Sequence, residues 1–299
     1  MSQGQRRKFS VAGAIAVQAF NKAESVLGTL DSIARSSGSA KYCLVILQDG
    51  CSGSAATEKY HSGWAQTTHA LKAWISRNKD HFVSVRFDRS EENNGPYRTA
   101  ERLITWALEK GKSVIFSEDD VIFEYDALEW FERALTHPMF LRPNVWAIAG
   151  ESRFFDSYRH SPSETDVARA LELAESHLLI DKFVYLEFLP SSCFATTREK
   201  WAEFGDTRGT TRGDRAVVDR CLEEGKVCFW PVIARCRDIG MHHPLGYSVR
   251  WKGLHHTRFK NSYVVSGMLK PAAGELSEVT CEKDALLTEF TVFWEQLES

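Results

Sequence analysis

Glu118, Asp119 and Asp120 stand in a row directly after the apolar run Val114-Ile115-Phe116-Ser117. Side chains alternate along an extended segment, so Glu118 and Asp120 are expected to share one side while Asp119 faces the other. Like unit charges at contact distance repel by up to ~4 kcal/mol at an effective dielectric near 20, so three adjacent carboxylates need compensation. A hard dication, Mn²⁺ or Mg²⁺, supplies it while taking only one or two protein carboxylates, its shell being completed by water and substrate phosphates. The chemistry this suggests is the holding of a nucleotide diphosphate through a metal ion. The other reading of the triplet is a solvated acidic turn.

Other polar residues sit at comparable places. Asp49 follows a second apolar run inside Gln48-Asp49-Gly50, a spacing that is also a common turn. Asn21 and Glu24 have the spacing of a capping box. Asp214 opens a helical run where an aspartate makes a good cap. His242 and His243 precede a basic stretch, Arg250, Lys252, His255, His256, Arg258 and Lys260, with Trp251 inside it. That stretch could close over a diphosphate, meet anionic lipid at a membrane periphery, or be a solvated face.

The elements that must position these residues follow from periodicity. Runs of β-formers alternate with helical patterns over the first 125 residues, which predicts an α/β fold with a mostly parallel central sheet flanked by helices. Strands are predicted over 9–20, 42–47, 82–87 and 113–117. Helices are predicted from Asn21 to a stop at Gly38, over 63–78 and over 97–110. The face of the first helix is read as Val26, Leu27, Leu30, Ile33 and Ala34. Beyond residue 125 helices are predicted over 127–135, 166–177, 197–204, 214–224 and 286–297, with extended segments over 145–149, 183–193 and 227–234. In open parallel sheets ligands bind outside the carboxyl ends of the strands, which is where Asp49 and the triplet fall.

Composition narrows the classes. The chain has 299 residues, 43% hydrophobic and 26% charged, with 37 basic against 40 acidic residues and a net charge of -3. That balance lacks the electropositive surface of non-specific nucleic-acid binding, so no nucleic-acid partner is expected. No apolar run approaches the ~18 residues of a membrane span, and no cleavable leader is visible. The seven cysteines are odd in number and show no CxxC spacing, so neither a disulfide scaffold nor a zinc site is expected, and a reducing, cytoplasmic setting fits. A lumenal piece cut from its anchor would read the same way.

Taken in order, Phe20-Asn21 with Glu24, Leu47-Gln48-Asp49-Gly50-Cys51-Ser52, Asn93-Asn94-Gly95 and the Glu-Asp-Asp triplet resemble the GT-A glycosyltransferases over roughly residues 9 to 245. The triplet is similar to that of the N-acetylglucosaminyltransferase I group, and the remainder is similar to glycosyltransferase family two. Leu189 to Trp201 is similar to the acceptor-side segment of that family, without two of its usual tryptophans. Gly213-Asp214, with Asp219-Arg220 and Gly225 after it, resembles the Glu-Asp motif of inverting members; Gly213 stands where Glu is usual, so only the aspartate carries over.

The resemblance implies a nucleotide-sugar-binding lobe over 1–125, an acceptor and catalytic lobe over 126–247, and a tail over 248–299 packing near the active site. It implies that Asp120 binds the metal, with His243 as a second ligand, and that Glu118 and Asp119 meet the ribose, the sugar or a water on the metal. Asp49 would accept from a uracil ring N–H, with Asn21 and Glu24 nearby and Arg250 and Lys252 over the diphosphate. Asp214 would be the base. In an inverting displacement the acceptor hydroxyl attacks opposite the departing diphosphate, so the base stands across the site from the metal. The implied activity is metal-dependent transfer of a hexose or N-acetylhexosamine from a nucleotide-sugar, UDP-linked, to a hydroxyl of a glycan or glycolipid acceptor. Two rivals are a non-catalytic nucleotide- or glycan-binding protein on the same fold and a sugar-1-phosphate nucleotidyltransferase. The latter normally carries a Gly-rich loop after its first strand, which Val17-Gln18-Ala19-Phe20-Asn21 lacks.

Overall fold

The computed structural model describes residues 12–53, 60–151, 181–187, 189–231, 233–240 and 277–278. In chain order the elements are β1 (Gly13–Ala19), α1 (Ala23–Arg35), β2 (Tyr42–Gln48), α2 (His61–Asn78), β3 (Ser84–Arg89), α3 (Gly95–Leu108), β4 (Ser113–Ser117), β5 (Val121–Phe123) and α4 (Ala127–Thr136). They continue with β6 (Val145–Ala149), β7 (Lys182–Leu186), β8 (Cys193–Thr197), α5 (Arg198–Arg208), α6 (Asp214–Glu224), β9 (Val227–Pro231), β10 (Cys236–Asp238) and β11 (Ser277–Glu278). The helices expected over 166–177 and 286–297 lie outside the described residues.

β2 and β4 are buried at every position and β1 at all but one, which explains their unbroken apolar runs: a parallel strand covered on both faces has no polar side to show. Successive residues feed opposite cores. Ile15 and Val17 pack with α1 and α4 in one, while Ala14 and Ala16 pack with α3, α5 and α6 in the other. On α3, Ala100, Leu103, Ile104, Ala107 and Leu108 are all buried at helical spacing. Burying Leu103 or Ile104 stabilises by about 1.5–3 kcal/mol each.

Nine strands form one mixed sheet in the order β11-β7-β9-β6-β8-β4-β1-β2-β3. The β3-β2-β1-β4 run is parallel, and β8 enters antiparallel between β4 and β6. The expected α/β class with a mostly parallel sheet flanked by helices is therefore observed. A second, two-stranded ribbon pairs β5 with β10 antiparallel and was not expected from the sequence. Its cause lies in α1, whose buried face is polar as well as apolar, with Ser25, Thr29 and Ser32 beside Val26, Leu30 and Ile33. The amides of Val121 and Phe123 donate to Thr29 Oγ1 (3.1 Å) and Ser32 Oγ (3.0 Å), so α1 fastens β5 through hydroxyls. Leu27 and Ala34, read as core, are only partly buried. Among the described residues no helix is long and apolar enough to cross a membrane.

Candidate active site

The ends of three parallel strands build the site. β1 pairs with β2 through Ala19 opposite Gln48 and with β4 through Val17 opposite Ser117, so Phe20 emerges beside Asp49 while Glu118 lies level with Gln18, two residues earlier on β1. The Glu118 amide still donates to the Ser192 carbonyl (2.9 Å), and residues 119–120 then form a turn. The expected alternation is thereby corrected: Asp119 and Asp120 turn to the same lysine.

That lysine is Lys22, whose ammonium lies 2.7 Å from Asp119 Oδ1 and also touches Asp120 Oδ2. Its side chain is 12% exposed. Burial works against the charged ammonium, but Asp119 and Asp120 outweigh it and raise the Lys22 pKa above the ordinary lysine value. Asp119 also accepts the Phe20 amide through Oδ2 (3.2 Å). Lys22 occupies the N-cap position of α1 and no side chain caps the helix, so the capping box expected of Asn21 and Glu24 does not form. The helix ends at Arg35, three residues before the expected stop at Gly38. Asn21 is 6% exposed, with its Nδ2 unbonded among the described residues, and Glu24 is exposed on the first turn.

The ribbon brings in a residue that the sequence reading did not single out. Asp238 on β10 stands opposite Val121, and the Ile239 amide donates to the Asp120 carbonyl (2.7 Å). Burial, then Asp120 and Glu151, push the Asp238 carboxyl up to about 8, despite the Gly240 amide that donates to it (2.7 Å). Gly240 itself abuts Asp120; a Cβ there would overlap Asp120 Oδ2. Glu118 is raised well above the carboxylate range by burial and then by Asp120, Asp238 and Asp214, with Arg208 opposing.

Asp214, in the other half of the chain, lies near enough for its charge to act on Glu118. It opens α6 and lies 3.0 Å from Arg208 Nε, although that N–H is not aimed along the contact. Burial raises the Asp214 pKa and Arg208 counters it. Arg208, at the end of α5, is 1% exposed, sits over the Tyr97 ring at 5.1 Å and donates a long 3.5 Å bond to the Ser191 carbonyl. Gly213 has φ 48 and ψ -121, and a Cβ there would overlap the Tyr97 ring, so no glutamate fits where the family motif usually has one.

Asp49 is engaged locally. Its Oδ1 accepts from the amides of Gly50 and Asn94 (3.0 Å each) and from Asn94 Nδ2 (3.3 Å), and its Oδ2 accepts from the Gly95 amide (2.9 Å). A carboxylate on the first amides of α3 suits the helix dipole, and Oδ2 keeps one acceptor position. Asn93 Nδ2 donates to the Gly50 carbonyl (3.0 Å), so Asn93-Asn94-Gly95 binds the 49–52 turn to α3. His243, Arg250 and Lys252 lie outside the described residues, as do His242, Trp251, His255, His256, Arg258 and Lys260.

The cluster fits a cation. Asp120 Oδ1 is buried and unbonded among the described residues, and the Asp120 charge raises the proton affinity of both Glu118 and Asp238. Among the described residues no three metal-binding side chains converge as a full cage, and an ion that keeps water and phosphate ligands needs none. A cavity of about 540 Å³ opens elsewhere, between α3 and α5 at Glu101, Thr105, Arg198 and Trp201, and shares no residue with this cluster.

No protein-family model matches the chain, and no curated protein matches it. Among solved structures it is similar to the mannosyltransferase PcManGT from Pyrobaculum calidifontis in complex with GDP-Man and Mn²⁺, with 15% identity, 82% of this chain and 63% of that chain covered, and a TM-score of 0.47. It is also similar to S. aureus TarS 1-349, with 13% identity, 94% and 70% covered, and a TM-score of 0.45. The chain spans 63% of the length of the first of these.

Proposed function

We propose that the chain is an inverting glycosyltransferase of the GT-A kind, moving a hexose or N-acetylhexosamine from a UDP-sugar to a hydroxyl of a glycan or glycolipid. The observation that carries this reading is that Asp119 and Asp120 follow β4 as a buried acidic pair, with Asp120 Oδ1 unbonded among the described residues. The charges of both Asp120 and Asp214 act on Glu118 beside them.

Asp120, with Asp238 beside it, would hold Mn²⁺ or Mg²⁺, which when bound offsets charge on the departing diphosphate. Glu118 and Asp119 would orient the ribose, as carboxylates do in dinucleotide folds. Asn21, whose amide is free to donate, and the remaining acceptor position of Asp49 would meet the base, with Glu24 at the rim. Asp214 would take the acceptor proton, an action worth roughly 10²- to 10⁴-fold. Burial raises its pKa, as suits a base, and Arg208 opposes the rise. His243 would be a second metal ligand, and Arg250 and Lys252 would meet the diphosphate.

The test is calorimetry of UDP with and without Mn²⁺, followed by turnover with a panel of UDP-sugars. The expected result is UDP binding that Mn²⁺ strengthens, a gain removed by Asp120→Asn. Asp214→Asn should leave donor binding intact and cut turnover at least about a hundredfold. Equal UDP affinity in EDTA would sink the metal role. Metal-linked binding with no turnover by the unmutated chain would make this a binding protein on the same fold.

A further inference from the structure

Lys22 occupies the position from which Asp119 and Asp120 can both be reached. The ammonium is 2.7 Å from Asp119 and in contact with Asp120, and it approaches from α1, directly after the strand that neighbours β4. Asp120 gives Oδ2 to the lysine and keeps Oδ1 buried and unbonded among the described residues, so half of the carboxylate is spoken for and half is not. An ammonium and a dication on one carboxylate repel at contact distance, so each weakens the other there.

We propose that Lys22 is a built-in competitor for the divalent ion: a tethered counter-cation that neutralises the acidic turn while no donor is present and leaves Asp120 when metal and diphosphate arrive together. The inference rests on the donor-site reading above. The diphosphate brings the charge that lets both cations stay, because a displaced Lys22 remains beside the anionic ligand. Metal affinity is thereby made to depend on the nucleotide, and by linkage nucleotide affinity depends equally on the metal. Lone metal binds weakly, which keeps the site from filling without its donor.

Mn²⁺ binding to the full chain, followed by electron paramagnetic resonance with and without UDP, tests this on the unmutated protein, Lys22→Met and Lys22→Arg. The unmutated chain is expected to bind Mn²⁺ weakly alone and at least about tenfold more tightly with UDP. Lys22→Met should bind Mn²⁺ alone at least about tenfold more tightly and lose most of the UDP enhancement, while Lys22→Arg keeps the original pattern. Because Lys22→Met leaves carboxylates uncompensated, thermal melts of Lys22→Met and Lys22→Gln accompany the titration. Mn²⁺ should raise their melting temperatures more than that of the unmutated chain. Unchanged or weaker Mn²⁺ affinity in Lys22→Met, with UDP-linked binding intact in the unmutated chain, overturns the competition and leaves the donor site standing. No Mn²⁺ binding in any variant, with or without UDP, overturns both. Variants that stay unfolded whether or not Mn²⁺ is present make Lys22 a purely structural ion pair and overturn the competition.

Discussion

Arg208 closes α5 and Asp214 opens α6, and the two are joined as an ion pair across the intervening turn at 3.0 Å. The guanidinium is the more buried partner, 1% exposed against 24% for the carboxylate. The pair sets the protonation of Asp214 from the protein side and leaves the carboxylate reachable from the other.

The pH profile of turnover should report that pair. A base works deprotonated, and burial raises the Asp214 pKa while Arg208 lowers it. The acid limb of kcat/KM should therefore fall at a pH above that of an ordinary aspartate. Arg208→Gln should move the limb further up and Arg208→Lys should restore part of the shift. A limb that stays in place in Arg208→Gln would separate Arg208 from the base.

Asp238 ties stability to pH in the metal-free protein. Its folded pKa of about 8 lies above the unfolded value of 3.8, so between those values the folded state holds a proton that the unfolded state has released. The contribution is fully present below pH 3.8 and is lost as pH rises through about 8. Asp238→Asn should flatten the decline in melting temperature across that window. An unaltered slope would assign the decline to other groups.

Gly240 and Gly213 are among the glycines that leave no room for a side chain. Gly240→Ala drives a methyl into Asp120, and overpacking of this kind costs about 1–3 kcal/mol. The expected outcome is a folded protein with weakened metal-linked UDP binding. Gly213→Glu meets both the Tyr97 ring and a backbone that only glycine adopts readily, at about 1–3 kcal/mol for the backbone alone. Chemical denaturation should show that loss, and the added carboxylate should not raise turnover.

A buried ion pair holds the ribbon in place. Arg235 Nε donates to Asp126 Oδ2 at 2.9 Å, and both side chains are at most 1% exposed. Asp126→Ala strands the guanidinium and should cost about 3–5 kcal/mol, read by urea denaturation. The double replacement Asp126→Leu with Arg235→Met should recover much of it, because removing both charges removes the desolvation cost.

Much of the fold was legible because its strands are unbroken apolar runs and α3 carries its core residues at ideal spacing. β5 and β10 were not, since each spans three residues and their partners lie more than a hundred positions apart. Asp238 was hidden with them. Lys22 was within reach of sequence reasoning: once β1 and β4 are neighbours in a parallel sheet, the residues that follow them must meet, and a lysine there answers three carboxylates. Nothing in the sequence singled out Arg208, and only the packing of Tyr97 and Asp214 around it shows its place. The alternation of residues 118–120 failed because the chain turns at residues 119–120, just past the end of β4.

The antiparallel β8 stitches β4 to β6 along five residue pairs on one side and two on the other. The halves bearing Asp120 and Asp214 consequently share a single rigid floor, and swinging them apart like a clamshell would tear that ladder. Entry for any ligand therefore falls to the turns overhanging the floor, while the sheet holds the spacing of the two aspartates.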